Sequence, residues 1–173
     1  MSQPALIVID LQNDYFPGGA FPLANTDGVL LAIEHAIAAA RGKGIPVVHV
    51  QHVADPRQGI APFFNTGTHG VEIHPRIRVA APDAPIIIKH WADSFEGTDL
   101  HATLQNMDVD ELILCGMMTQ NCVTHTALSR QADRYNKITV LTDACTTVSD
   151  ILHAIALHAL SMRVQLIPTE QAL

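Results

Sequence analysis

"LILCGMMTQNCVTHTAL", Leu112 to Leu128, decides how this chain is built. A short apolar run stops at Gly116, and a helix begins within five residues of it. A buried strand that passes directly into a helix is half of a βα unit, the building block of a parallel sheet. The same unit recurs on both sides. Strand-like runs lie at Ala5–Asp10 (ALIVID), Pro46–His52, Pro85–His90, Glu111–Gly116, Lys137–Thr142 and Arg163–Pro168. Helical patterns alternate with them. Within residues 25–44, Val29, Ile33, Ile37 and Ala40 share one face, Asn25, Thr26 and Asp27 are cap candidates, and Gly42 or Gly44 can end the helix. Further helices are expected at Thr98–Asn106, Gln120–Asp133 and Ser149–Ser161. The alternation predicts a single α/β domain over residues 1–173, a doubly wound, six-stranded parallel sheet with helices on both faces.

Composition narrows the function. The chain has 173 residues, 48% hydrophobic and 16% charged, which suits a packed globular domain. A net charge of -7 with no basic cluster argues against nucleic acid. No run is long enough to span a membrane. The segment MSQPALIVIDLQND has no basic region ahead of a cleavable apolar stretch, so the expected location is the cytoplasm. Three cysteines in such a chain read as reduced thiols. One segment breaks the rhythm: residues 53–84 carry Pro56, Pro62, Pro75 and Pro82 without a clear period. A connection of that length serves as a lid over a ligand or as an oligomer contact, with Ile60, Phe63 and Phe64 as its exposed apolar residues.

Ligands of open parallel sheets bind at the carboxyl ends of the strands. There the first strand ends in Asp10 and the third in Lys89, while Cys122 falls in the first turn of the helix behind the fourth. Each has an ordinary structural explanation: a turn cap, a snorkelling lysine, a small core residue. Together they put an acid, a base and a thiol on one edge. A desolvated Asp10 wants a cation, which Lys89 supplies, and a helix start lowers the pKa of a thiol.

Three stretches, ALIVIDLQNDYFPGG, IIIKHWADSFEGTDL and GMMTQNCVTHTAL, closely resemble motifs of the isochorismatase-like cysteine hydrolases, a family that includes nicotinamidases and N-carbamoylsarcosine amidases. TDACTT fits the segment after the fifth strand. The resemblance implies a catalytic set of Asp10, Lys89 and Cys122. It also implies a cis peptide between Met117 and Met118, with the Met118 and Cys122 amides forming an oxyanion hole. The implied reaction is hydrolysis of a small amide or ureido C–N bond through a Cys122 thioester, by a dimer or larger assembly.

The substrate is less legible. Gln12, Tyr15, Phe16, Trp91 and Phe95 follow the first and third strands and are candidates for a pocket, or for core and loop ties. Asn13 stands with Gln12 in that choice. Nicotinamidases often hold a metal with an Asp-x-His pair after the second strand, but the corresponding positions here are His52 and Ala54. His49 and His52 point to opposite faces of a strand, and His125 reads as structural. No metal and no cofactor is expected. Three other readings compete. An isochorismate-type vinyl ether hydrolase is disfavoured because that branch typically lacks the cysteine. A catalytically idle binding protein would keep the fold without the chemistry. A thiol redox module would need a closer pair than Cys115 and Cys122, which are seven apart.

Overall fold

The computed structural model describes residues 2–173. Six strands form one sheet: β1 (Pro4–Ile9), β2 (Val47–His52), β3 (Ile86–Lys89), β4 (Glu111–Met117), β5 (Lys137–Thr146) and β6 (Gln165–Ile167). Their order is β3-β2-β1-β4-β5-β6, with every pairing parallel. The order reverses between β1 and β4, so the crevice of a doubly wound sheet opens where Asp10 and the end of β4 meet.

The central strands sort their side chains by the period of two. Leu6 and Val8 of β1 and Ile113, Cys115 and Met117 of β4 pack on one face with Ile33, Ile37 and Ala40 of helix α1 (Thr26–Gly42). Ala5, Ile7 and Ile9, with Leu112 and Leu114, pack on the other. There they meet Leu100 and Leu104 of α3 (Leu100–Gln105) and Leu160 of α5 (Asp150–Leu160). Burial on both faces is why these strands read as unbroken apolar runs. Each fully buried Leu or Ile contributes roughly 1.5–3 kcal/mol.

Four local expectations are corrected. The run Pro85–His90 reads as buried, but β3 is the sheet's edge: Ile86 and Ile88 are 39% and 54% exposed, while Ile87 and Lys89 turn inward. The helix expected at Gln120–Asp133 is broken into a π-helical turn (Thr119–Val123), the short α4 (Thr124–Ala127) and a 3-10 turn (Ala132–Arg134). Side chains add to the backbone bonds at two carbonyls of the π turn: Thr124 Oγ1 donates to the Thr119 carbonyl at 2.6 Å, and the His125 ring meets the Asn121 carbonyl at 2.8 Å. β5 runs four residues past Thr142, because its register with β4 slips between Leu114 and Gly116. Finally, of Ile60, Phe63 and Phe64 only Ile60 is exposed. Phe64 is fully buried, edge-on to Tyr15 with ring centroids 4.6 Å apart, and Phe63 packs beside both.

Within residues 53–84, α2 (Pro75–Ala80) follows a bridge between Gln12 and Ile73, so the segment is fastened to the loop after β1. Asp14 adds a second tie, accepting from the Phe64 amide at 2.7 Å and the Ala20 amide at 3.1 Å. No helix among the described residues is long and apolar enough to cross a membrane.

Gly116 is the tightest point of the sheet. Its φ is +128°, and a Cβ there would lie 2.0 Å from the Ile9 carbonyl oxygen, the residue before Asp10. Gly116→Ala is therefore expected to cost at least about 2 kcal/mol in urea unfolding. Gly42→Ala, in open space at the end of α1, is expected to be neutral or to stabilise by up to about 1 kcal/mol. Equal midpoints for the two variants would show that the close approach is not needed.

Candidate active site

Asp10 lies one residue beyond β1 in the left-handed region, with φ +54°. The turn sends its side chain into the crevice while its amide still donates to the Val50 carbonyl at 3.0 Å. Lys89 must come from farther away, since β2 separates β3 from β1. Its side chain crosses the end of β2 and sets Nζ 2.9 Å from Asp10 Oδ2, with both side chains fully buried. Cys122 arrives from the π-helical turn, with Sγ 3.2 Å from the same ammonium. The three residues that sequence reasoning placed on one edge thus meet at one nitrogen. The Met117–Met118 bond between β4 and that turn is cis, and the Met118 carbonyl accepts from the Asn121 and Val123 amides.

Two more acceptors surround Nζ: the Trp91 carbonyl and His52 Nδ1, each at 3.0 Å. The three ammonium hydrogens thus go to His52, Trp91 and Cys122, while Asp10 faces the charge as an ion pair. Lys89 stays charged. Burial opposes the ammonium, but Asp10 and then Cys122 outweigh it and raise its pKa above the ordinary lysine value. Because an ammonium only donates, His52 Nδ1 must be the acceptor and the ring proton sits on Nε2. Burial, and after it the Lys89 charge, lowers His52 to about 4, against a smaller opposite effect of Asp10.

The thiol departs from expectation. A helix start was expected to acidify Cys122, yet burial and the neighbouring Asp10 carboxylate push its pKa far up, with Lys89 only partly offsetting them. The helix behind it is four residues long and brings little dipole. The resting residue is a neutral thiol. Outside the Lys89 pair, neither Asp10 oxygen has a hydrogen-bond partner among the described residues, which leaves the carboxylate free to receive a proton.

The pocket candidates separate. Trp91 is 55% exposed and walls a cleft of about 280 Å³ together with His52, Ala54, Asp55, Ile60 and His90. Two of those walls, His52 and Trp91, touch the Lys89 ammonium directly. Gln12 is instead spent on backbone. Its Nε2 donates to the His52 and Val71 carbonyls at 2.7 Å each, and its Oε1 accepts from the His52 amide at 2.8 Å. Asn13 likewise ties the loop, donating to the His69 carbonyl at 3.0 Å. Phe16 stacks on His74 in a different hollow, and Phe95 packs on Tyr135 in the core. Tyr15 is buried in the aromatic cluster, its phenol pushed far up by burial and then by Asp10 and Cys122.

The sequence places His52 at a metal-pair position that is not kept, and does not reveal it beside Lys89. The signal was its place at the carboxyl end of β2, in register with Lys89. His49, on the other face, is buried against the Ala81 carbonyl at 3.2 Å. Asp10, His52 and Cys122 bring potential metal-ligand atoms within 4.8 Å of one another. They do not fit a metal, because Lys89 Nζ already stands 2.9–3.2 Å from each of them as the local cation, and Ala54 adds no donor. All three cysteines are free. Cys115 packs on the opposite sheet face from Cys122, which removes the geometry of a redox pair.

Comparison with known proteins matches residues 4–171 to the isochorismatase domain. The Bacillus subtilis isochorismatase family protein YddQ, itself uncharacterised, is 41% identical over 145 residues, 84% of this chain and 78% of the relative. The nicotinamidase/pyrazinamidase of Mycobacterium tuberculosis is 30% identical over 143 residues, 71% of this chain and 76% of the relative. The crystal structure of an isochorismatase family protein from Desulfovibrio vulgaris superposes with a TM-score of 0.88 at 26% identity, covering 98% of this chain and 96% of the other.

The depressed pKa of His52 has a consequence for stability. Between about 4 and the ordinary 6.5 the unfolded chain binds a proton that the folded one refuses. This contribution is complete above pH 6.5 and is lost as pH falls towards 4. His49, His74 and His153 shift in the same direction. His52→Asn is expected to lose less of its urea midpoint between pH 7 and pH 4.5 than wild type. Identical slopes would contradict the assignment of a neutral ring.

Proposed function

The chain belongs to the isochorismatase family, and from that premise we propose that it is a cysteine hydrolase of a small amide or ureido C–N bond. The observation that carries the reading is the single buried ammonium shared by Asp10 at 2.9 Å and Cys122 at 3.2 Å. As substrate binds, Asp10 takes the Cys122 proton, and Lys89 stabilises the thiolate that a buried thiol would not otherwise form. Sulfur attacks the carbonyl carbon, and the oxyanion is met by the Met118 and Cys122 amides. The C–N bond then breaks, with Asp10 returning its proton to the departing nitrogen. Water, activated by the Asp10 carboxylate, hydrolyses the thioester and restores the thiol. Net consumption is one water per bond cleaved.

The raised thiol pKa supports this order of events. A free thiolate would be exposed to oxidation and alkylation at rest, whereas a neutral thiol is activated only with its acid–base partner in place. A cleft of about 280 Å³ and a thiol only 1% exposed favour a small substrate. Exposed Ile151 and Ile155 on α5, and Met162 just after it, support assembly into a dimer or larger oligomer.

The test is ammonia release from a panel of small amides and ureido compounds. Cys122→Ala is expected to lose at least about 10³-fold of the turnover, and Asp10→Asn a comparable factor. Full turnover by the cysteine variant would sink the scheme.

A further inference from the structure

His52 stands where β2 is crossed by the Lys89 side chain. In the order β3-β2-β1, a lysine on the edge strand reaches an aspartate on the central one only by passing the end of the strand between them. The residue at that end is His52, in register with Lys89 and 3.0 Å from its Nζ. Its backbone N–H and C=O both pair with the Gln12 side-chain amide. Its ring packs on Phe64 with centroids 5.8 Å apart. The groups around it are Asp10 after β1, Lys89 and His90 at the end of β3, and Cys122 from the π-helical turn. Asp10, Lys89 and Cys122 are at most 1% exposed, whereas the His52 side chain keeps 21% of its surface and lines the cleft beside Trp91.

The ring therefore faces two ways. Nδ1 is committed to the ammonium, which leaves the proton on Nε2, an atom with no hydrogen-bond partner among the described residues. We propose that His52 is a positioning residue with two separable tasks: Nδ1 shares the Lys89 ammonium with Cys122, and Nε2–H donates to a hydrogen-bond acceptor on the substrate in the cleft walled by Trp91. The substrates it selects are amides or ureas carrying a second acceptor, such as a carbonyl or ring nitrogen, and no positive charge near the ring. The inference rests on the Asp10–Lys89–Cys122 reading and assigns to His52 what that reading leaves open.

Three substitutions separate the tasks. Asn places its side-chain oxygen where Nδ1 stood, Gln places its amide nitrogen near Nε2, and Phe keeps the ring and neither function. The first readout needs no substrate: the pH dependence of Cys122 alkylation by iodoacetamide, followed by peptide mass, with buried Cys115 and Cys145 as internal references. With His52→Phe the ammonium loses one of its three hydrogen-bond acceptors and is freed towards Cys122, so the alkylation inflection is expected to fall by at least about half a pH unit. His52→Asn is expected to restore it, and His52→Gln is not. The second readout is hydrolysis of the best amide of the panel. Here His52→Phe and His52→Asn are expected to raise KM roughly tenfold, with the smaller change in kcat, while His52→Gln stays nearer wild type.

An unmoved or raised inflection in His52→Phe overturns the first task. KM values that do not separate Gln from Asn overturn the second. Equal loss in all three variants together with equal loss of thermal stability reduces His52 to a packing residue and overturns both. Failure of the underlying reading looks different: Cys122→Ala would then keep its turnover whatever stands at position 52.

Discussion

One buried positive charge organises this molecule. The Lys89 ammonium lies among Asp10, Cys122, His52 and the Trp91 carbonyl at 2.9–3.2 Å, with its side chain wholly out of water. Removing water from an ion pair is costly, and breaking such a pair by deleting one partner costs about 3–5 kcal/mol. Much of the surrounding structure serves that charge. The left-handed turn at Asp10 aims the carboxylate, the glycine at 116 lets β4 close on β1, and the Gln12 amide fixes the end of β2. The π-helical turn then brings sulfur to the fourth side.

How much of this could be read from the sequence follows from the physics of each part. The sheet was legible because central strands bury both faces, which leaves unbroken runs such as ALIVID and ELILC. Asp10 and Lys89 were legible because a charge at the end of such a run has nowhere to go but the sheet's edge. The strand order was not, and with it went the exposure of Ile86 and Ile88: an apolar run does not reveal which strand is outermost. His52 escaped for a related reason. A histidine at the end of β2 matters only once β2 is known to lie between β1 and β3.

The corrections around Cys122 have two sources: burial beside Asp10 raises the thiol, and the helix behind it is short. A continuous helix from Gln120 to Asp133 would have brought more dipole to the thiol and offset part of that rise. Instead the turn at Thr119–Val123 is π-helical, and threonine and histidine side chains join the backbone amides at the carbonyls of 119 and 121. The aromatic residues after β1 and β3 diverge for packing reasons. Tyr15, Phe63 and Phe64 prefer each other's rings to the crevice, and Phe95 prefers Tyr135, so Trp91 alone of the four aromatic pocket candidates stays at the rim of the Asp10–Lys89–Cys122 cluster. Side-chain competition of this kind is decided in three dimensions and leaves no period in the chain.

The lysine's address in the sheet has a further meaning. β3 is four residues long, is paired on one side only, and shows two isoleucines to solvent. Outer strands held by a single ladder fray first, at free energies well below those of global unfolding. The cation that Asp10 and Cys122 share therefore rides on one of the sheet's two outer strands, β6 being the other. When β3 frays, Asp10 and Cys122 stay with the central strands and lose their cation together. Loss of that one ladder would empty the crevice of its charge while the central strands stayed paired.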